Sequence, residues 1–109
     1  MTPELLVVQV QPGRDDVRLT LVGELDRSVV ETLVRAHREA TASHATRPIV
    51  IDVAALEFCD LGGQRELFRC QAAGATLVGD PACLRRLCSL TGDDDLLPTV
   101  AGGRWMPRS

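Results

Sequence analysis

The chain has 109 residues, of which 45% are hydrophobic and 25% charged, a composition typical of one globular domain. Its net charge of −3 argues against a nucleic-acid or anionic-membrane partner, because such surfaces need clustered basic residues. No apolar run approaches the roughly 20 residues of a membrane span, and the N-terminus lacks the pattern of a signal peptide. We therefore expect a soluble, cytoplasmic protein that does not insert into membranes.

Two strands and a turn are predicted at the start of the chain. Leu5–Val10 is rich in valine and is followed by Gln11–Gly13, a sequence typical of a turn. Val17–Val22 alternates apolar and polar residues until its last step, as a half-buried strand does. The two strands are predicted to pair as a hairpin.

An amphipathic helix is predicted from about Ser28 to about Ser43. Apolar residues recur there at steps of three and four, and charged residues occupy the opposite side. Asp26 or Ser28 is the predicted N-cap, since both side chains can accept a hydrogen bond from the first helical turn. Pro48 excludes continuation, because the residue before a proline avoids helical angles.

The stretch 47–63 contains the predicted central strand and the loop that follows it. Ile49–Ile51 predicts a central strand, and a turn is expected near Asp52. A second apolar segment then includes Leu56 and Phe58. It ends at segment 60–63, which contains an aspartate and two glycines. A buried strand that leads into such a loop predicts an exposed, functional segment on a rigid base.

Two further helices and a strand follow. Gln64–Ala73 predicts a helix with a polar start, and Ala75–Gly79 predicts a strand. Pro81 suits the first turn of a third helix, with Asp80 as its predicted cap and Gly92 as its end.

The order of elements favours a single small α/β domain. Strand–helix–strand units pair in parallel through right-handed crossovers, whereas the initial hairpin is antiparallel. The sequence therefore predicts a mixed four- to five-stranded sheet with helices packed mainly on one face. Leu96–Val100 is the candidate for the additional edge strand, so that the domain covers residues 1–100 and residues 101–109 form a flexible tail.

The four cysteines do not form the pattern of a metal site. Cys59, Cys70, Cys83 and Cys88 contain no C-x-x-C pair, and their spacing is not that of a usual zinc site. Most of them have apolar neighbours, where a free thiol behaves as a small hydrophobic residue. We expect reduced, structural cysteines and no metal.

The residue types needed for catalysis are not grouped in the sequence. His37 and His44 are the only imidazoles, and nothing places a nucleophile beside either of them. No phosphate-binding glycine motif occurs, so no cofactor is expected. Gly62-Gly63 at a helix start could bind an anion through backbone N–H groups, but a tight turn is the favoured interpretation.

Four segments in order give the chain a family resemblance, namely Gly23–Asp26 (G-E-L-D), Pro48–Asp60, Ala73–Gly79 and Leu84–Gly92. The sequence resembles STAS domains, the fold of anti-sigma factor antagonists and of the cytoplasmic tails of sulfate transporters. The resemblance implies a binding protein rather than an enzyme.

The resemblance implies a partner and a switch. Family members of this size dock on a histidine-kinase-like anti-sigma factor, and that kinase phosphorylates a Ser or Thr in the family's D-S-S-G loop. In this chain Leu61 occupies the position of the phosphorylated residue, and Gly62 replaces the next serine. Neither has a hydroxyl group, so phosphorylation at this loop is not expected.

The expected partner-binding surface has an apolar centre at Leu61 and a charged rim. An alternative is a STAS adaptor subunit of a lipid-transport or stress-signalling assembly. Whether the domain forms a homodimer stays open. The predicted site residues are Glu24, Asp26, Asp60, Leu61, Gly62 and Gly63.

Overall fold

Seven elements follow one another in the computed structural model, which describes residues 5–44 and 46–92. The longest of the described helices has 14 residues, and none is long and apolar enough to cross a bilayer. The predicted strand 96–100 and the tail 101–109 lie outside the described residues. The elements are β1 (Leu6–Pro12), β2 (Val17–Leu25), α1 (Val30–Ser43), β3 (Ile49–Cys59), α2 (Leu61–Ala72), β4 (Thr76–Val78) and α3 (Ala82–Thr91).

The described strands form one mixed sheet in the order β1-β2-β3-β4. β1 and β2 pair antiparallel as the predicted hairpin, and the N–H of Gly13 donates to the Asp16 carbonyl within the turn at 2.7 Å. β3 lies parallel to β2 and to β4, because a helix separates the strands of each pair in the chain. The predicted α/β class and mixed sheet are confirmed.

The core lies between one face of the sheet and the helices. Leu19 and Leu21 of β2 are fully buried, as is Ile51 of β3, which is the register partner of Leu19. The residues that alternate with them point to the opposite face, where Val7 and Val22 are exposed register partners. Each helix contributes a fully buried leucine to the core, namely Leu33, Leu67 and Leu84.

β3 is longer than predicted, and the turn expected near Asp52 is wrong. The strand continues through eleven residues to Cys59. Its pairing with β2 has two register shifts, and at each of them β3 contains one residue more than β2. At the first shift the Asp52 carboxylate accepts a hydrogen bond from the N–H of Ala54 at 3.0 Å. An inserted residue re-aims the side chains that follow it, so Leu56 and Cys59 are buried while Phe58 is exposed.

Two of the predicted helix caps are wrong. α1 has Val29 as its N-cap, and within the described chain no side chain caps it. Asp26 instead accepts from the N–H and hydroxyl of Ser28, a local bond that closes the turn before the helix. α3 has Pro81 as its N-cap, while Asp80 forms an ion pair with an arginine in the first turn of α3.

The cysteines are free thiols, and three of them belong to the core. Burial raises the pKa of Cys59 and of Cys70 to about 12, because the thiolate loses its hydration. Both thiols are therefore protonated and unreactive at neutral pH. Cys88 is fully buried, whereas Cys83 is partly exposed. Across 5–44 and 46–92 no group of histidine, cysteine and acidic side chains could hold a metal ion.

Candidate partner-binding site

The predicted site residues lie at the end of two neighbouring parallel strands. Leu25, the last residue of β2, is the register partner of Cys59, the last residue of β3. The chain leaves β2 through Asp26 and leaves β3 through Asp60, so both segments emerge at one edge of the sheet. Two stretches that are 34 residues apart in sequence are thereby brought together.

Asp60 joins these two segments. Its Oδ1 accepts from the N–H of Gly63 at 2.8 Å and caps α2, while its Oδ2 accepts from the N–H of Arg27 at 2.9 Å. Its own N–H donates to the carbonyl of Leu25 at 3.2 Å. The cap explains why α2 begins at Leu61, three residues before the predicted start at Gln64. Asp60 therefore acts first as a structural clamp beneath the predicted binding surface.

Replacing Asp60 by alanine is expected to lower the free energy of unfolding by about 0.5–2 kcal/mol, the usual range for losing an N-cap. The substitution also leaves the N–H of Arg27 without its acceptor. Asp60→Asn keeps one acceptor oxygen and is expected to lose less. Urea denaturation of the three proteins measures the effect, and a stability of Asp60→Ala equal to wild type would contradict the clamp.

The two glycines at the start of α2 differ in their surroundings. A Cβ atom on Gly63 would lie 2.5 Å from the Leu25 carbonyl oxygen and 2.7 Å from its Cγ, closer than atoms can pack. A Cβ on Gly62 would meet nothing nearer than 3.4 Å, an ordinary contact. Gly63 is buried and lets α2 approach β2, whereas Gly62 lies nearer the surface. Of the two, Gly62 is the better placed for a partner.

Leu61 is the first residue of α2, and 44% of its surface is exposed. An apolar side chain in that position loses unfavourable contact with water when a partner covers it. Phe58, three residues earlier, is 46% exposed and pairs in register with Glu24. From the sequence, Phe58 was predicted only as part of an apolar segment with Leu56, because the alternation of residues cannot show the inserted residue in β3. Phe58 is therefore a site candidate that the sequence missed.

Acidic residues lie on both of the segments that form this site. Glu24 and Asp26 are partly exposed at the end of β2, and Asp60 of the second segment accepts from the N–H of Arg27, the residue after Asp26. Ser28 is the nearby hydroxyl, and it donates to Asp26. A phosphate on Ser28 would place its negative charge beside that carboxylate, which opposes modification there. The site thus combines exposed apolar residues with an acidic rim and offers no favourable phosphoacceptor among the residues described around it.

Comparisons with known proteins agree with this architecture. The structure is similar to an anti-sigma factor antagonist from Mycobacterium paratuberculosis, with a TM-score of 0.73, 24% identity and 92% of each chain covered. It is also similar to the anti-sigma factor antagonist SpoIIAA in its unphosphorylated form, with a TM-score of 0.53, 26% identity, and 81% of this chain and 83% of that one covered. No curated protein matches the sequence. The family model described as "Mlab, STAS domain" matches residues 8–98, and the chain therefore belongs to the STAS domain family.

Proposed function

We propose that this STAS domain is a protein-binding regulator of the anti-sigma factor antagonist type, without enzymatic activity of its own. It docks on a histidine-kinase-like anti-sigma factor through Leu61 and the acidic residues beside it. The observation that carries the proposal is the exposed apolar residue at the start of α2, clamped to the end of β2 by Asp60. The similarity to two anti-sigma factor antagonists supports a regulator of this kind.

The missing hydroxyl group determines whether phosphorylation of this loop can release the domain from its partner. A phosphate on this loop would add about −1.5 to −2 charges beside Asp60 and would disrupt a docked surface. Leu61 and Gly62 cannot accept a phosphate, because neither side chain carries a nucleophilic oxygen. A kinase partner therefore has no means of ejecting the domain through this loop. The complex is held by affinity and concentration alone.

An affinity capture from a lysate of the source cells, in the presence of ATP, tests the proposal. The tagged wild type is expected to retain a histidine-kinase-like ATPase and to gain no phosphate by intact mass. The Leu61→Ser variant places a hydroxyl in the same position; it is expected to retain that ATPase without ATP, and with ATP to be phosphorylated and to release it. Mass spectrometry identifies the captured proteins and the modified residue.

Two results would contradict the proposal. Capture of no ATPase by the wild type would reject the proposed partner. The segment 58–63 contains no hydroxyl group, and phosphorylation of any wild-type residue, Ser28 included, with loss of the partner would overturn the claim of a permanent complex. Leu61→Ser also serves as the control that the kinase is active under the conditions used.

A second candidate is an adaptor subunit of a lipid-transport or stress-signalling assembly. The same hydroxyl-free loop favours it, because an adaptor that is never released has no use for a phosphorylation site. In the capture experiment this role predicts transporter or scaffold subunits in place of the ATPase. The two candidates are thus separated by the identity of the retained protein.

A further inference from the structure

A groove between α1 and α2 lies outside the site described above. It has a volume of about 480 Å³, within the usual range of small-molecule pockets. Val34 and Ala42 line it from α1, Cys70 lines it from α2, and Ala73, the residue after α2, completes this wall. These side chains are small and apolar, so the walls suit the hydrocarbon part of a ligand.

Basic side chains stand around these apolar walls. Arg38 of α1 is exposed, and within residues 5–44 and 46–92 it has no hydrogen-bond or ion-pair partner. Arg69 of α2 also lines the groove, and its guanidinium binds Glu66 at 3.0 and 2.6 Å. Arg69 thus neutralises the charge of Glu66, the one carboxylate in the described lining. The charge of Arg38 is not neutralised in this way, so the lining has a net positive charge. His37 adds a second polar group beside it.

We propose that this groove binds a small monoanion with an apolar body, of the alkyl-carboxylate class. The body lies between Val34 and Cys70, and the carboxylate pairs with the guanidinium of Arg38. Charge complementarity favours an anion, because Arg38 is the charged lining side chain left without a counter-ion among the described residues once Arg69 pairs with Glu66. Arginine is also the side chain whose donors match a carboxylate best.

The groove is separate from the partner-binding surface. Leu61 starts α2, whereas the lining residues of α2 begin more than one turn later, at Glu66. The failure of either proposal therefore leaves the other intact. A ligand in the groove would contact both helices at once and would stabilise their packing by mass action.

Titration of the ¹⁵N-labelled protein with decanoate, followed by amide chemical shifts, tests the site. We expect saturable shifts confined to residues 34–42 and 66–73, with a Kd below about 1 mM. Arg38→Glu reverses the charge in the groove and is expected to weaken binding by at least about tenfold. Arg35→Glu makes the same change on an exposed residue of α1 outside the lining, and its Kd should stay within about twofold of wild type.

Three results would overturn the proposal. One is the absence of saturable shifts up to the solubility limit of decanoate. Another is equal affinity for decanol, which has the same chain and no charge, because the arginine would then contribute nothing. The third is a loss of affinity in Arg35→Glu as large as that in Arg38→Glu, which would indicate a general effect of net charge.

Discussion

Replacing Leu61 by arginine is expected to weaken binding of the captured partner by at least about 100-fold. Leu61 lies at the centre of the proposed surface and is still 44% exposed in the free domain. In a complex the guanidinium would have to be dehydrated beside apolar partner atoms, a cost of several kcal/mol unless a partner carboxylate pairs with it. The domain itself should keep its stability, since an exposed substitution of this kind usually changes the free energy of unfolding by less than about 0.5 kcal/mol.

Val10→Arg is the matched control for this prediction. Val10 is 47% exposed, nearly as much as Leu61, and it pairs with Leu19 in the part of the sheet remote from Cys59 and Asp60. The control should bind with wild-type affinity by titration calorimetry against the purified partner. Tight binding by Leu61→Arg, or equal losses in both variants, would contradict the proposed surface. Circular dichroism melting of both variants separates lost binding from lost folding.

The sequence predicted most of the fold because its signals are local. The hairpin, the amphipathic pattern of α1 and the glycine that follows α3 each lie within about one turn or strand of the chain. The predicted break at Asp52 failed for a long-range reason. Whether an acidic residue ends a strand or sits beside an inserted residue depends on the neighbouring strand, and here β2 pairs on both sides of the irregularity.

At the candidate site, too, local features were predictable from the sequence and long-range contacts were not. The sequence placed Asp26 and Asp60 just after strands, as the structure does, whereas Glu24, expected in the turn after the second strand, lies within β2; the parallel pairing of β2 with β3 brings the two segments together. It could not show that Asp60 binds Arg27, a contact 33 residues away. Neither could it show that Phe58 is exposed, because that depends on the register shifts in β3. Residue types were predictable from the family resemblance, but their contacts required the packed structure.

The same limit applies to Gln64, which the sequence placed in a polar helix start. The structure buries Gln64 almost completely, and its Nε2 lies within hydrogen-bond distance of Cys88 Sγ and Thr91 Oγ1 of α3. A buried amide is tolerated only where it finds such partners. The start of α2 is therefore fixed from two sides, by Asp60 toward β2 and by Gln64 toward α3. Leu61 thus begins a helix whose first turn is bonded to both of its neighbours.

Alanine at Gly63 is expected to lower the free energy of unfolding by about 1–2 kcal/mol, although alanine is the better helix former. Removing a helical glycine gains about 0.5–1 kcal/mol of backbone entropy. Against this, the new methyl group would lie 2.5 Å from the carbonyl oxygen of Leu25, and overpacking of that kind costs about 1–3 kcal/mol. The steric cost outweighs the gain because the closest atom belongs to the backbone and cannot turn away.

Gly62→Ala separates the two contributions, because its methyl group would meet nothing closer than 3.4 Å. It should gain only the backbone entropy of replacing a helical glycine. Its free energy of unfolding should therefore equal that of the wild type or exceed it by up to about 1 kcal/mol. Urea denaturation of both variants gives the sign of each effect. Relief of the clash in Gly63→Ala moves the start of α2 away from β2, so this variant should also bind the partner more weakly. Gly62→Ala tests whether the proposed surface tolerates an added methyl group. Equal stabilisation by both substitutions would show that α2 does not pack against Leu25 as closely as the structure indicates.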